Sequence, residues 1–497
     1  MNHPRQPSVS LCMIVRNEAH QLAECLEPVA LLFDQLVIVD TGSQDNTRDV
    51  ARRFTPQVFE FPWCDDFSAA RNESLRHVTS DWVFWLDADD RLDATNVERL
   101  KHLFAALADQ PAAFLCDTIC LPRDPHDFER AISHPRLLRR HPDLRFTGRV
   151  HEQILPAALS LGYQVYASPI QIKHVGYRDA AMLQRKLHRD IRLLRMDYAL
   201  DPLHPGTLLH LGTTYAQLGN VAEARRHLLQ LLQTNPQSAD YLRRAHSVLA
   251  ELSLREGQYT EALHNLTPAI AQFPADDHLA YLLAEVLYEL DQYPAAQQVL
   301  SHLIQRPGVS PYCAGVPLHL KQLVAPRCLG EVLRIQRALA AAEQVLLAVV
   351  RDFPTDALSW HALGRVYIDM ARRDQLEQVR HQLSVCPGGE MFSSLLLAAW
   401  HMQQSEWKAA EIAIDRLIAA SPHVPMARLM RAEVLTRRGA ALPARLQAYR
   451  DVLRLSPGHP HAAEMIKRLE GALHRPVTVA HQHAVATFSL GVGTPSS

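Results

Sequence analysis

The sequence predicts an N-terminal α/β domain on a mainly parallel sheet, followed by an all-α solenoid of helical repeats. Three observations predict it. Short β-rich apolar runs alternate with amphipathic stretches as far as Leu86; from about residue 180 the pattern is almost entirely helical and rich in Leu and Ala; and prolines punctuate that second half at regular intervals. At 497 residues the chain is too long for one ordinary hydrophobic core, so separate domains are expected.

The candidate strands are Val9 to Val15, Gln35 to Val39, Val58 to Phe61 and Trp82 to Leu86. Between them lie amphipathic stretches at Glu18 to Leu31, Asp45 to Phe54 and Phe67 to Val78, with Ser43, Asp45 or Asn46 available to cap the second. Sheets of this kind bind ligands at the carboxyl ends of their strands. Those ends read Arg16-Asn17-Glu18, Asp40-Thr41-Gly42-Ser43 and Asp87-Ala88-Asp89-Asp90, so polar residues gather where a ligand should sit.

In the helical half, Gly212, Ala224 and Pro236 are spaced by twelve and twelve. The register returns as Ala250, Ala262, Pro274, as Gly330, Ala342, Pro354 and as Ala398, Ala410, Pro422. Small residues let paired helices approach closely and a proline ends the second helix of each pair. The pattern resembles the tetratricopeptide repeat, in about seven units, several degenerate, with an irregular insertion around Pro307 to Arg327. The domain boundaries expected are 1–178 for the α/β domain, 179–204 for a connecting helix, 205–474 for the repeats and 475–497 for an aperiodic, flexible tail.

Composition narrows the partners. With 51 Lys and Arg against 53 Asp and Glu there is no global charge bias, which argues against nucleic acid or an anionic membrane as the main partner. The eight cysteines contain no CxxC pair and mostly sit in apolar runs, as buried free thiols do, which suits a reducing, cytoplasmic setting. Leu11 to Val15 is far shorter than the roughly 20 residues that span a bilayer, so any membrane contact is expected to be peripheral, at the inner face.

Asp87-Ala88-Asp89 directly after an apolar strand suits a shared divalent cation, because carboxylates at i and i+2 leaving a strand can hold one ion together. Alone, a DxD is weak, since acidic loops after strands are common. Its context is Ile14-Val-Arg-Asn-Glu18, Val39-Asp40-Thr-Gly-Ser-Gln-Asp45-Asn-Thr47, Phe67-Ser-Ala-Ala-Arg71-Asn72-Glu and Trp85-Leu-Asp87-Ala-Asp89-Asp90. These four linked motifs, over residues 8 to 95, resemble the family 2 glycosyltransferases of the GT-A (Rossmann-like) fold.

The resemblance implies an inverting hexosyltransferase that uses a nucleotide diphosphate sugar, usually a uridine one, with Mg²⁺ or Mn²⁺. Carried over, Asp40 would contact the base or ribose, Glu18 and Arg71 would line the nucleotide site, and Asp87 and Asp89 would hold the ribose and metal. Downstream, Ser133-His-Pro-Arg136-Leu-Leu138, Phe146-Thr-Gly148-Arg149-Val150-His151-Glu152-Gln153 and Ile172-Lys-His174-Val-Gly176-Tyr177 resemble the later motifs of a bacterial subgroup. That subgroup includes lipopolysaccharide-core glucosyltransferases and repeat-bearing peptide transferases of the sublancin S-glycosyltransferase kind. By that analogy Glu152 is the general base and His174 the third metal ligand. The family's commoner acidic pair here reads His151-Glu152, which leaves His151 and Asp117 as alternative bases.

Bland readings stand beside these. Asp40 could cap its turn, Glu152 could be a first-turn helix residue, His174 could be structural, and Trp82 and Trp85 suit sheet packing. Lys186, Arg189, Arg192 and Arg195 recur at helical spacing, either as a solvated helix face or as a guide for an acidic acceptor. Stacked helix pairs form concave surfaces that bind extended peptides, so a protein or peptide acceptor is expected. The alternatives are glycan extension on lipopolysaccharide or capsule, with the repeats dimerising or docking the enzyme, and a non-catalytic scaffold whose α/β domain senses nucleotide-sugars.

Overall fold

The computed structural model describes residues 6–120, 130–176, 180–236, 238–307, 316–317 and 319–473. Tyr177, Cys313, much of the insertion and the tail therefore lie outside the described residues. The chain divides into two compact units, Met1–Phe353 and Pro354–Ser497.

In the first unit the strands β1 (Val9–Val15), β2 (Gln35–Asp40), β3 (Val58–Glu60) and β4 (Trp82–Trp85) pair in parallel in the order β3-β2-β1-β4. Side chains alternate between two apolar faces, as a sheet covered on both sides requires. Leu11, Met13, Trp82 and Phe84 enter one core, and Cys12, Val83 and Trp85 enter the other. The stretch Glu18 to Leu31 is not one helix. It breaks into α1 (Leu22–Leu26) and a 3₁₀ turn (Ala30–Leu32), because Pro28 has no N–H to continue the helical ladder. Helix α2 (Thr47–Arg52) starts with Asp45 Oδ1 accepting from Thr47 N at 3.0 Å, and α3 (Phe67–Arg76) is capped by Asp66, which accepts from Ala69 N at 3.0 Å.

Beyond Leu86 the sheet becomes mixed. It adds β5 (Asp90–Arg91), α4 (Ala94–Ala105), β6 (Ala112–Cys120), β7 (Arg130–Arg139), α5 (Leu155–Ser160) and β8 (Gln164–His174), and its order continues from β4 as β7-β6-β8-β5. Strand β7 runs antiparallel to β4 and β6, β8 runs parallel to β6, and β5 antiparallel to β8. The pairing of β5 with β8 sets Asp90 opposite His174.

Helix α6 (Ala180–Leu200) leads into helix pairs α7 (Pro205–Gln217) with α8 (Val221–Gln233), α9 (Ala239–Arg255) with α10 (Tyr259–Gln272) and α11 (Asp277–Glu289) with α12 (Tyr293–Gln305). In the insertion, β9 (Val316–Pro317) returns to pair with β7, and a π-helical turn (Leu320–Val324) enters α13 (Ala325–Ile335) and α14 (Leu339–Asp352). The periodic positions do what their size implies. A Cβ on Gly212 would stand 2.5 Å from Leu228 Cγ, one on Gly330 would stand 2.6 Å from Leu346 Cγ, and Ala224, Ala250, Ala262 and Ala342 are fully buried. Asn220, Ser238 and Asp276 cap α8, α9 and α11.

The second unit holds α15 (Ala357–Asp369) with α16 (Arg373–Val385), α17 (Gly389–Gln403) with α18 (Trp407–Ala420), α19 (Pro425–Arg437) with α20 (Leu442–Leu455), and α21 (Pro460–Leu473). No helix among the described residues is long and apolar enough to cross a membrane. Cys12, Cys25, Cys116 and Cys386 are buried free thiols, whereas Cys64 is exposed.

One buried acid in α11 makes stability pH-dependent. Burial, reinforced by Glu251 and Glu289, raises Glu285 from 4.5 to about 7 against the opposing hydrogen bond from Tyr281 Oη at 2.7 Å. A carboxyl raised in the folded state stabilises below its unfolded pKa, and that contribution is lost as pH climbs through the folded value. Stability of the first unit is expected to fall by on the order of 1–3 kcal/mol between pH 5 and 8. Urea midpoints at the two pH values should differ in the native chain and converge in Glu285→Gln.

Candidate functional site

The strand ends come together at one edge of the sheet, held by short cross-links between loops. After β1, Asn17 adopts φ 57°, its N–H donates to Ser43 Oγ at 2.9 Å and its Oδ1 accepts from Gln44 N at 2.7 Å. Glu18 N donates to Thr47 Oγ1 at 2.8 Å, and the Glu18 carboxyl is raised by burial, with Asp89 and Asp87 adding to the shift against a hydrogen bond from Gln21.

Asp40, 1% exposed, accepts from Gly42 N at 3.1 Å and Ser43 N at 2.9 Å through Oδ1. Gly42 sits at φ 100°, which favours glycine. The turn-capping reading of Asp40 therefore holds for one oxygen. Its Oδ2 is buried with no hydrogen-bond partner among the described residues, a costly arrangement unless a donor arrives.

Arg71 lies nearly buried at the centre. Its Nε donates to Glu152 Oε1 at 2.5 Å and its Nη2 to Asp87 Oδ1 at 2.8 Å, while the guanidinium carbon lies 4.3 Å from the centre of the Trp85 ring system. Burial alone would raise Asp87, but Arg71 and Arg136 hold its carboxyl well below the usual carboxylate range. Trp85 packs in the sheet core and also serves as a platform, since Arg136 lies 3.8 Å over its ring.

A second cluster adjoins it. Asp89, Asp90 and His174 bring one ligand atom each to within 4.8 Å of one another. Asp89 Oδ2 is 3.3 Å from His174 Nε2, and Asp90 Oδ1 is 3.1 Å from His174 Nδ1. Asp90 Oδ2 meets Arg136 Nη1 at 3.0 Å and Asp87 N at 2.9 Å. Burial raises Asp89, as do Asp87 and Asp90, against the opposing pull of His174. The His174 imidazole is raised despite burial, by its contacts with Asp90 and Asp89. Gly176 completes the cradle, for a Cβ there would overlap Asp89 Oδ2 and stand 3.2 Å from His174 Nε2. Thus Arg71, Asp87 and Glu152 form one network, Asp89 and His174 another, and Arg136 and Asp90 join them. Asp87 was expected on both donor and metal; here its carboxylate faces the two arginines, and Asp90 stands in the metal-type trio.

The two alternative bases lie apart from this network. Asp117, in β6, accepts from Ser133 Oγ at 2.6 Å. His151, at φ 55°, stacks on His210 of α7 with ring centroids 4.2 Å apart and 14° between planes. Of the basic strip on α6, Arg192 pairs with Asp65 at 2.7 Å, Arg195 donates to Tyr215 Oη at 2.7 Å and Arg189 pairs with Asp190 at 2.7 Å, so those three are paired within the protein.

Sequence reasoning quoted Arg136, Asp90 and Gly176 without giving them roles. Their signal was only that each falls inside a motif. His210 had none, because the repeat pattern is blind to polar positions.

Fold and site together define a GT-A-type ligand-binding domain carrying helical repeats. Comparison with known proteins gives the family. The model for glycosyl transferase family 2 matches residues 10–161, and tetratricopeptide repeat models match 207–238, 253–314 and 395–460. A TPR repeat-containing protein of Synechococcus elongatus is 34% identical over 277 residues, covering 54% of this chain and 67% of that protein. The SPbeta prophage-derived glycosyltransferase SunS of Bacillus subtilis is 27% identical over 248 residues, covering 48% of this chain and 53% of SunS, so the match spans about half of that protein's length. A solved tetratricopeptide repeat protein of Parabacteroides merdae is similar at 14% identity, with a TM-score of 0.41 over 51% of this chain and 93% of that one. The chain carries a family 2 glycosyltransferase domain at its N-terminus, with tetratricopeptide repeats behind it.

Proposed function

We propose that the chain is an inverting, divalent-cation-dependent glycosyltransferase that moves a sugar from a uridine diphosphate sugar to a protein or peptide acceptor. The observation that carries the reading is that a carboxylate-imidazole cluster, Asp89 with His174, follows β4 at the sheet edge where β2 ends in a buried carboxylate oxygen, Asp40 Oδ2, that has no hydrogen-bond partner among the described residues. Uracil offers an N–H that suits that oxygen.

The donor set fits Mg²⁺ or, with its imidazole, Mn²⁺ better. His174 would bind through Nε2 while Nδ1–H donates to Asp90, the carboxylate-histidine arrangement that orients a metal ligand, and Asp89 would supply the oxygen. Bound there, the cation would offset the charge that develops on the leaving diphosphate. Arg136 pairs with Asp90 at 3.0 Å, and Arg71 orients both Glu152 and Asp87. In that reading Asp87 and Glu18 face the ribose and phosphates. Glu152 takes the proton of the acceptor hydroxyl or thiol as the nucleophile attacks the anomeric carbon from the face opposite the departing UDP. The sugar-to-phosphate bond breaks as the new bond forms, and the configuration inverts.

The test is a panel of uridine, guanosine and thymidine diphosphate sugars with Mn²⁺, reading released nucleotide and thermal shift. Response to a uridine sugar, abolished by a chelator, is expected. Silence from the whole panel in folded protein would transfer support to the non-catalytic scaffold. Within this reading Gly176→Ala, which pushes Asp89 off His174, is expected to weaken Mn²⁺ binding by about tenfold or more, measured by calorimetric titration.

A further inference from the structure

Helix α7 of the first repeat packs against the segment that carries Glu152. His151, next to Glu152, lies face to face with His210, so α7 forms a wall of the site directly beside the proposed base. One turn earlier on α7, Gly206 leaves room for its neighbours: a Cβ there would stand 3.2 Å from Tyr241 Oη of α9 and 3.1 Å from the His204 ring. Positions 206 and 210 share a helix face, so Tyr241 and His204 lie over the turn of α7 that precedes His210.

Next along α9 is Arg244. Its neighbour Arg243 is fully buried and takes Asp240 at 3.1 Å and Asp276 at 3.4 Å. The Arg244 guanidinium is only partly exposed and has no hydrogen-bond or ion-pair partner among the described residues. Burial opposes its charge more than the nearby Asp240 supports it, so it is costly to maintain without a further anion. Burial first, then the charges of His151 and Arg244, hold the His210 imidazole well below its ordinary range.

Resting on the glycosyl-transfer reading, we infer that His210, Tyr241 and Arg244 form an acceptor subsite that takes a carboxylate flanking the nucleophile of a peptide. The rings supply flat contact area for an extended chain, and the guanidinium supplies two parallel N–H donors that match a carboxylate. The donor's diphosphate is a less suitable occupant, because the cation that would neutralise it would be held at Asp89 and His174. The subsite thus separates acceptors by the charge next to the modified residue.

The test uses the full chain loaded with UDP and Mn²⁺. Short synthetic peptides with a central Ser, Thr or Cys are supplied as two pools that differ only in carrying Asp and Glu, or Asn and Gln, around the centre. Expected are retention of the acidic pool about tenfold above the neutral one, loss of that preference in Arg244→Gln, partial rescue in Arg244→Lys, and unchanged UDP binding in both variants. Equal retention of the two pools by the native chain overturns the inference. So does a fall in UDP affinity in Arg244→Gln, which would assign the guanidinium to the donor. Binding of phosphatidylglycerol vesicles that disappears in Arg244→Gln, without a pool preference, would replace the peptide by a lipid headgroup. If the native chain neither binds UDP nor hydrolyses any donor, the glycosyl-transfer reading itself fails, whatever the pools do.

Discussion

Asp89→Ala is expected to lower turnover of the preferred donor by about a thousandfold or more, some 4 kcal/mol of transition-state stabilisation, while leaving the protein as stable as before or slightly more so. The two halves of that expectation share one cause. Asp89 is packed with Asp87 and Asp90, and burial together with those charges disfavours its ionised form. A carboxylate in that position is held against its electrostatic preference, as a cation site requires before the cation arrives. Removing it relieves repulsion and forfeits the ion. The measurements are donor hydrolysis, Mn²⁺ titration and thermal unfolding in metal-free buffer. Near-native turnover in the variant would remove Asp89 from the chemistry. Parallel loss of activity and of unfolding midpoint would reduce its role to structure.

Arg136→Met should produce the largest loss of stability. Arg136 is 2% exposed and Asp90 is 0% exposed, with Nη1 to Oδ2 at 3.0 Å, and Arg136 also donates to Thr118 Oγ1 at 3.1 Å. Truncating one member of a buried pair strands the other charge, at a cost of about 3–5 kcal/mol. Met fills most of the volume, so little of that cost is a cavity. The urea midpoint of the first unit should fall accordingly. The diagnostic variant is the double change, Arg136→Met with Asp90→Asn, which removes the stranded charge and should recover part of the loss. If the double variant is as unstable as the sum of the singles, packing rather than charge explains Arg136. Since Asp90 also holds His174 Nδ1, Arg136→Met should weaken Mn²⁺ binding too, although Arg136 lies behind the ligands.

The candidate site residues were legible because polar side chains cluster at strand ends, and strand ends are readable from apolar period. Asp40, Arg71, Asp87 and Asp89 all lie in motifs that follow or precede such runs. Which acid meets which base was not legible. Asp87 and Asp89 are two residues apart in sequence, yet one turns to Arg71 and the other to His174. That choice depends on β5 pairing with β8, a contact between residues more than eighty positions apart.

By itself the sequence determined the parallel half of the sheet, the helix-pair register and the membership of the polar cluster, because each follows from local periodicity or from a residue type in a fixed neighbourhood. Period two places Leu11 and Cys12 in opposite cores, and twelve-residue spacing places Gly212 against Ala224, where a Cβ would stand 3.3 Å from the Ala224 carbonyl oxygen. Only the tertiary structure decided the mixed half of the sheet, the break at Pro28 inside an otherwise helical pattern, the return of Val316–Pro317 to β7, and the stacking of His210 on His151. Those features join segments distant in sequence, and the energy that selects them lies in burial and charge pairing between elements, which no local pattern records.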